Sequence, residues 1–219
     1  MSAIGVVVSD LEGTLTSGET WRVIGTFLEE HGRGSAYRRL VYAGFPLIAL
    51  SRLGLVNSQR VREQWFVRMT RLLAGLDQSA IGDLVERVVE SMWANRREAV
   101  VRELEAHRQR GARLIIASGA YQLIADGFAQ HLGGEGVGSL LEFDSSGCAT
   151  GHLVGEVMTG AAKVRRVQER IDGARILAAY GDTEGDIPLL SLSEQPVAVC
   201  PDRVLRRVAL ARGWRILDA

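Results

Sequence analysis

The sequence predicts a Rossmann-like α/β fold, a parallel sheet with helices on both faces, carrying an inserted all-helical domain. Three observations predict it. A short β-branched run from Ile4 to Ser9 stands at the start, too brief for a helix. Helical periodicity then holds from about Trp21 to Val101 with no strand-like run inside it. From Arg113 onward strand-like and helix-like segments alternate, as consecutive crossover units do.

The elements follow in order. The first run suits a buried parallel strand and leads into the turn-like stretch Asp10-Leu11-Glu12-Gly13-Thr14. The insertion shows three apolar faces: Trp21, Ile24, Phe27 and Leu28; then Val61, Trp65, Val67 and Leu72; then Ile81, Leu84, Val85, Val88 and Met92. Leu40 to Val56 is apolar but interrupted by Pro46, Ser51 and Arg52, and falls short of the roughly 20 apolar residues of a membrane span. It reads as a buried or dimer-facing helix, which leaves room for a homodimer, ahead of membrane contact, with a lining for an apolar substrate as a further alternative. Arg113 to Ala117 is a strand and Tyr121 to His131 a helix. Leu140 to Phe143 and His152 to Val157 flank Asp144-Ser145-Ser146-Gly147 as a hairpin. Helix Ala162 to Ile171, strand Ile176 to Tyr180 and a short helix from Asp186 follow. Strand Val197 to Cys200, helix Asp202 to Ala211 and strand Arg215 to Leu217 complete the chain. On this reading residues 1–16 and 94–219 form the α/β core and residues 17–93 the helical domain.

Composition narrows the function classes. Hydrophobic residues make up 47% and charged residues 24% of 219, the balance of an ordinary globular protein. Equal numbers of basic and acidic side chains, 26 of each, leave no overall field to recruit nucleic acid or an anionic membrane. Cys148 and Cys200 are too few for a disulfide framework and lack metal-ligand spacing. The first residues show no basic segment followed by a long apolar one, so a cytoplasmic protein without stable membrane insertion is expected. Of the 26 basic residues only Lys163 is a lysine.

Four polar clusters fall at the carboxyl ends of predicted strands or the start of the helix facing them: Asp10 and Glu12, Ser118 and Gly119, Lys163, and Asp182 and Asp186. Each alone reads equally well as a turn former or cap; together they are chemically complementary. Carboxylates packed close together repel unless a cation neutralises them, and hard oxygen ligands favour Mg2+. A metal in turn makes a small phosphorylated compound the natural substrate. Asp10 is then the nucleophile and Glu12 the proton donor. Ser118 and Gly119 are donors to phosphoryl oxygens, and Lys163 is a compact positive charge that a forked guanidinium would not replace.

These motifs, Asp10-Leu11-Glu12-Gly13-Thr14-Leu15-Thr16, Ser118-Gly119, Lys163 and Gly181-Asp182-Thr183-Glu184-Gly185-Asp186, resemble in their usual order those of the haloacid dehalogenase (HAD) superfamily. The helical insertion after the first motif is similar to the small cap of its phosphoserine phosphatase-like branch. The resemblance implies a HAD core with a cap, and a Mg2+-dependent phosphatase acting through an aspartyl phosphate, with phosphoserine or a similar small metabolite as substrate. It implies Asp10 as nucleophile and metal ligand, Glu12 as acid/base whose main-chain carbonyl also binds metal, and Asp182 and Asp186 as further metal residues. Glu19 falls where phosphoserine phosphatases contact the substrate's amino group; it reads equally as a first-turn acid of a helix. The sequence departs from the pattern at two positions: Glu12 stands where Asp is usual, and Gly185 where phosphoserine phosphatases carry Asn. A lipid-phosphate phosphatase and a phosphotransferase are the alternatives within the superfamily. A non-catalytic binding protein is the alternative outside it.

Overall fold

The computed structural model describes residues 5–18, 20–52 and 56–218, without the side chains of 45, 48–52 and 58. The chain forms two compact units: Met1–Glu19, Val89–Ser139 and Met158–Ala219 make the first, Thr20–Val88 and Leu140–Val157 the second.

The first unit is built on parallel strands. These are β1 (Val6–Ser9), β2 (Arg113–Tyr121), the opening half of β3 (Glu135–Phe143), β5 (Ile176–Gly181), β6 (Gln195–Val199) and β7 (Arg215–Leu217). With β4 (Ala149–Val154), which pairs antiparallel with the outer half of β3, the strand order is β4-β3-β2-β1-β5-β6-β7. The strand met first in the sequence is thus central, which explains why Val6, Val7 and Val8 are all buried. Helices α5 (Glu98–Gln109), α6 (Gln122–His131), α7 (Gly160–Ile171), α8 (Ile187–Leu190) and α9 (Arg203–Arg212) complete the unit. Val167, Ile171, Leu205 and Ala209 from these helices close one apolar core with Val6, Val8 and Ile115.

Several strands differ from their expected limits: β4 runs Ala149–Val154 where His152 to Val157 was expected, and β6 begins at Gln195, two residues early. β2 runs on to Tyr121, so Ser118 and Gly119 sit inside its carboxyl-terminal stretch and the helix starts one residue later. β3 begins at Glu135, where Gly136 and Gly138 conceal a strand from any propensity argument. Their glycines have a packing reason. A Cβ on Gly136 would lie 2.4 Å from the Asp126 nitrogen, and one on Gly138 2.8 Å from the Gln122 nitrogen, because α6 rides directly on this strand.

The second unit holds α1 (Thr20–Glu30), α2 (Gly34–Arg52), α3 (Ser58–Arg71) and most of α4 (Gln78–Ala94), together with the hairpin between β3 and β4. The faces expected on α1 and α4 are largely interior, with Ile24, Phe27, Leu28, Ile81, Leu84 and Val88 buried and Trp21 38% exposed, whereas Val61, Trp65, Val67 and Leu72, the face expected around α3, are half-buried. The hairpin is tied to the segment after α3, where the Gly75 amide donates to the Ala149 carbonyl at 2.7 Å and the Ala149 amide donates to the Leu76 carbonyl at 2.7 Å. Among the described residues no helix is long and apolar enough to cross a membrane. Of the stretch Leu40 to Val56, residues 53–55 lie outside the described set.

Candidate active site

β1 ends at Ser9, which pairs with Ile116 of β2 on one side and Tyr180 of β5 on the other. The residues just beyond these three strands therefore meet at one edge of the sheet. The Asp10 amide donates to the Tyr180 carbonyl at 2.9 Å, carrying the ladder one residue further and leaving the side chain 7% exposed. The chain then folds back, with the Gly13 amide donating to the Thr16 carbonyl at 2.8 Å. Gly13 has φ +86°, and a Cβ there would stand 2.1 Å from Asp182 Oδ2. Backbone hand and carboxylate proximity both require glycine.

Lys163 enters from the first turn of α7 and is buried. Its Nζ donates to Asp10 Oδ1 at 2.6 Å and to Asp186 Oδ1 at 2.7 Å. The other oxygen of Asp186, Oδ2, accepts the Thr183 amide at 3.1 Å and the Thr183 hydroxyl at 3.0 Å, which fixes the tight turn Glu184–Asp186. Thr14 Oγ1 lies 3.1 Å from Asp182 Oδ1 and 3.4 Å from Asp10 Oδ2. One carboxylate oxygen from each of Asp10, Asp182 and Asp186 falls within 4.8 Å of the others.

Three carboxyls and one ammonium cannot neutralise one another, and the proton affinities reflect this. Burial, then repulsion from Asp10 and Asp186, pushes Asp182 up to about 8. Burial raises Asp10 to about 6 against the pull of Lys163, with the charges of Asp186 and Glu12 adding to the rise. Asp186 moves the opposite way, because its burial is outweighed by the Lys163 charge and by hydrogen bonds from Lys163 and Thr183. The same two carboxylates outweigh the burial of Lys163 and raise it, so it stays an ammonium. A half-buried carboxyl crowded by two others, its proton affinity raised by desolvation and by their charges, is a group that a cation would satisfy. The donor set of Asp10, Asp182 and Asp186 is all oxygen, fits a hard divalent cation and could hold a metal ion.

Ser118 and Gly119 lie on β2, beside β1. The buried Ser118 Oγ accepts the Ala120 amide at 3.1 Å, which leaves its hydroxyl proton free to be donated toward the site. Glu12 is half-buried on the loop after Asp10, and Glu19 lies outside the described residues.

Several contributors carry no distinctive pattern in sequence. Thr14 and Thr183 stand within the motifs, but only the fold shows that they hold Asp182 and Asp186. Ser139, fully buried, donates to the Gly119 carbonyl at 2.9 Å and accepts the Met158 amide at 3.0 Å. It thereby ties the Ser118–Gly119 segment to the residues that lead into Lys163. Asp202 accepts the amides of Glu184 at 3.0 Å and Leu205 at 2.8 Å, and its own amide donates to the Asp182 carbonyl at 2.8 Å. The loop bearing Asp182 and Asp186 is thus anchored to the start of α9.

The family profile of haloacid dehalogenase-like hydrolases matches residues 7–191. Phosphoserine phosphatase SerB1 of Mycobacterium tuberculosis is 29% identical over 227 residues, covering 95% of this chain and 69% of that protein. Among solved structures, a protein of unknown function from Bordetella pertussis superposes with a TM-score of 0.80 at 23% identity, over 99% of both chains. A substrate-bound phosphoserine phosphatase superposes with a TM-score of 0.69 at 18% identity, over 100% of this chain and 95% of the other. Both structural likenesses are likenesses of fold.

Proposed function

The chain belongs to the haloacid dehalogenase-like hydrolase family, and from that premise we propose that it is a Mg2+-dependent phosphatase that hydrolyses a small phosphate monoester through an aspartyl phosphate on Asp10. The observation that carries this reading is the buried Lys163 ammonium, held between Asp10 and Asp186 beside a third carboxyl that lacks positive charge.

Lys163 fixes Oδ1 of Asp10 and limits the rise in proton affinity that burial imposes on the carboxyl. Oδ2, whose one hydrogen-bond contact among the described residues is the 3.4 Å one from Thr14, is the oxygen left to attack phosphorus. The ammonium also faces the charge that develops on the phosphoryl group, and because it is already in place it reorganises little during the reaction. Ser118 donates its hydroxyl proton to a phosphoryl oxygen, and the Gly119 segment, held by Ser139, lets the backbone approach closely. Glu12 protonates the departing alkoxide and then draws a proton from the water that opens the acyl phosphate. Mg2+ bound by Asp10, Asp182, Asp186 and the Glu12 carbonyl would supply positive charge to the phosphoryl oxygens as a Lewis acid.

Phosphoserine is the substrate this reading favours, on the strength of the M. tuberculosis relative's name. Inorganic phosphate release from an aryl phosphate, then from a panel of phosphorylated metabolites, tests the proposal. Activity should require Mg2+, cease in chelator and return on adding the ion back. Asp10→Asn should retain the fold and lose several orders of magnitude in kcat. A well-folded Asp10→Asn protein with a tenth of the original rate would overturn the assignment.

A further inference from the structure

We propose that the outer faces of α2 and α3 form a docking surface for an anionic lipid membrane. The zero net charge of the chain conceals a segregation: residues 34–71 carry seven arginines against the single acid Glu63, a charge of +6, and the rest of the chain carries −6. At physiological salt a charge is felt over only about 8 Å, so contact is governed by this local excess and not by the overall balance.

The six of these arginines whose side chains are described are all exposed. Arg38 is paired with Glu29 at 2.9 Å. Arg39, Arg60, Arg62, Arg68 and Arg71 are exposed, and none has an acidic partner among the described residues. On α3, Arg60, Gln64, Arg68 and Arg71 are spaced by four, four and three, so they share one side of the helix; the buried Met69 lies on the other. On α2 the exposed residues Arg39, Tyr42, Ala43 and Pro46 recur at helical spacing and share a side likewise. The two helices pack as a pair, with Gly44 so close to Trp65 that a Cβ would stand 2.4 Å from its ring.

Charge alone would suit any polyanion; the apolar content of the same face selects among them. Tyr42 is 70% exposed with nothing covering it, and a ring with a polar tip suits the headgroup level of a bilayer. Ala43 and Pro46 continue that strip. Basic side chains interleaved with an aromatic and small apolar groups on a helix match the boundary between anionic headgroups and acyl chains. Such docking is peripheral and needs no spanning helix.

Co-sedimentation of the full chain with phosphatidylcholine vesicles, with and without phosphatidylglycerol, decides the matter. Binding should appear only with the anionic lipid and weaken with added salt. Each arginine near such a surface changes partition about fivefold, so Arg60→Gln/Arg68→Gln/Arg71→Gln should lose on the order of a hundredfold. Tyr42→Ala should weaken vesicle binding and leave retention on heparin unchanged. Circular dichroism checks folding, and if the triple variant fails it, Arg39→Gln/Tyr42→Ala on α2 serves in its place. Equal partition into both vesicle types at low salt, or a folded triple variant that binds as the parent does, would overturn the proposal. So would tighter binding to single-stranded nucleic acid, lost in the same variant, which would reassign the face.

Discussion

Lys163 is held by two short contacts, 2.6 Å to Asp10 and 2.7 Å to Asp186, with its side chain 6% exposed. A guanidinium has the same charge but is wider and planar, so it cannot occupy this point without moving a carboxylate. Lys163→Arg should therefore lower kcat by roughly a hundredfold, about 3 kcal/mol of lost electrostatic preorganisation. Steady-state kinetics with circular dichroism as the folding control checks this; kcat within about a factor of two would reduce the lysine to an accident of composition. At this scale much of the cluster was legible. Charged residues at strand ends stand out against apolar runs, and a lone lysine stands out among 25 arginines. The hydroxyls were not legible, because Thr14, Thr183 and Ser139 resemble any other threonine or serine until their partners are known. The same limit applied to charge: the net value of zero gave no hint of the basic face on α2 and α3.

The elements divide in the same way. Helices with a continuous apolar stripe and strands of β-branched residues could be read directly, as α4 and β1 were. The first half of β3 could not, because its glycines reflect the closeness of α6 and not a local preference. Nor does any sequence pattern say that the hairpin belongs with the helices of the second unit, since the bonds to residues 75 and 76 join segments far apart in the chain. Ser139 sits where β3 leaves the first unit. Ser139→Ala would take the donor from the half-buried Gly119 carbonyl and leave the buried Met158 amide without its acceptor, at a cost of about 1–3 kcal/mol for the buried group. It should lower the melting temperature and also kcat, because the Gly119 peptide is released. A stability loss with kcat intact would show that the Ser118–Gly119 segment holds its own geometry.

Across the first unit, Glu103 joins three elements. It accepts the Tyr180 hydroxyl of β5 at 2.9 Å and is gripped by both terminal nitrogens of Arg215 on β7, while belonging itself to α5. Burial would raise its carboxyl, but the hydrogen bonds from Arg215 and Tyr180 prevail and lower it. With the folded value below the unfolded one, its stabilisation is complete above the ordinary 4.5 and is lost as pH falls through the folded value. Glu103→Gln should cost about 1 kcal/mol near neutrality, discounted for partial exposure. The unfolding curves of variant and parent should then converge in the acid limb. A constant gap at every pH would mean the loss is one of packing.

The central position of β1 has a consequence for how the protein is made. Val6 leaves the ribosome before both of its partners in the sheet, Arg113 and Ile176. At about 5–20 residues per second, roughly 10–30 s of synthesis separate this strand from its second neighbour. Until Arg113 emerges this buried strand has no partner in the sheet, and until Ile176 it has one of its two. The nascent chain therefore depends on helices, which close over short distances, to stay compact while its keystone waits.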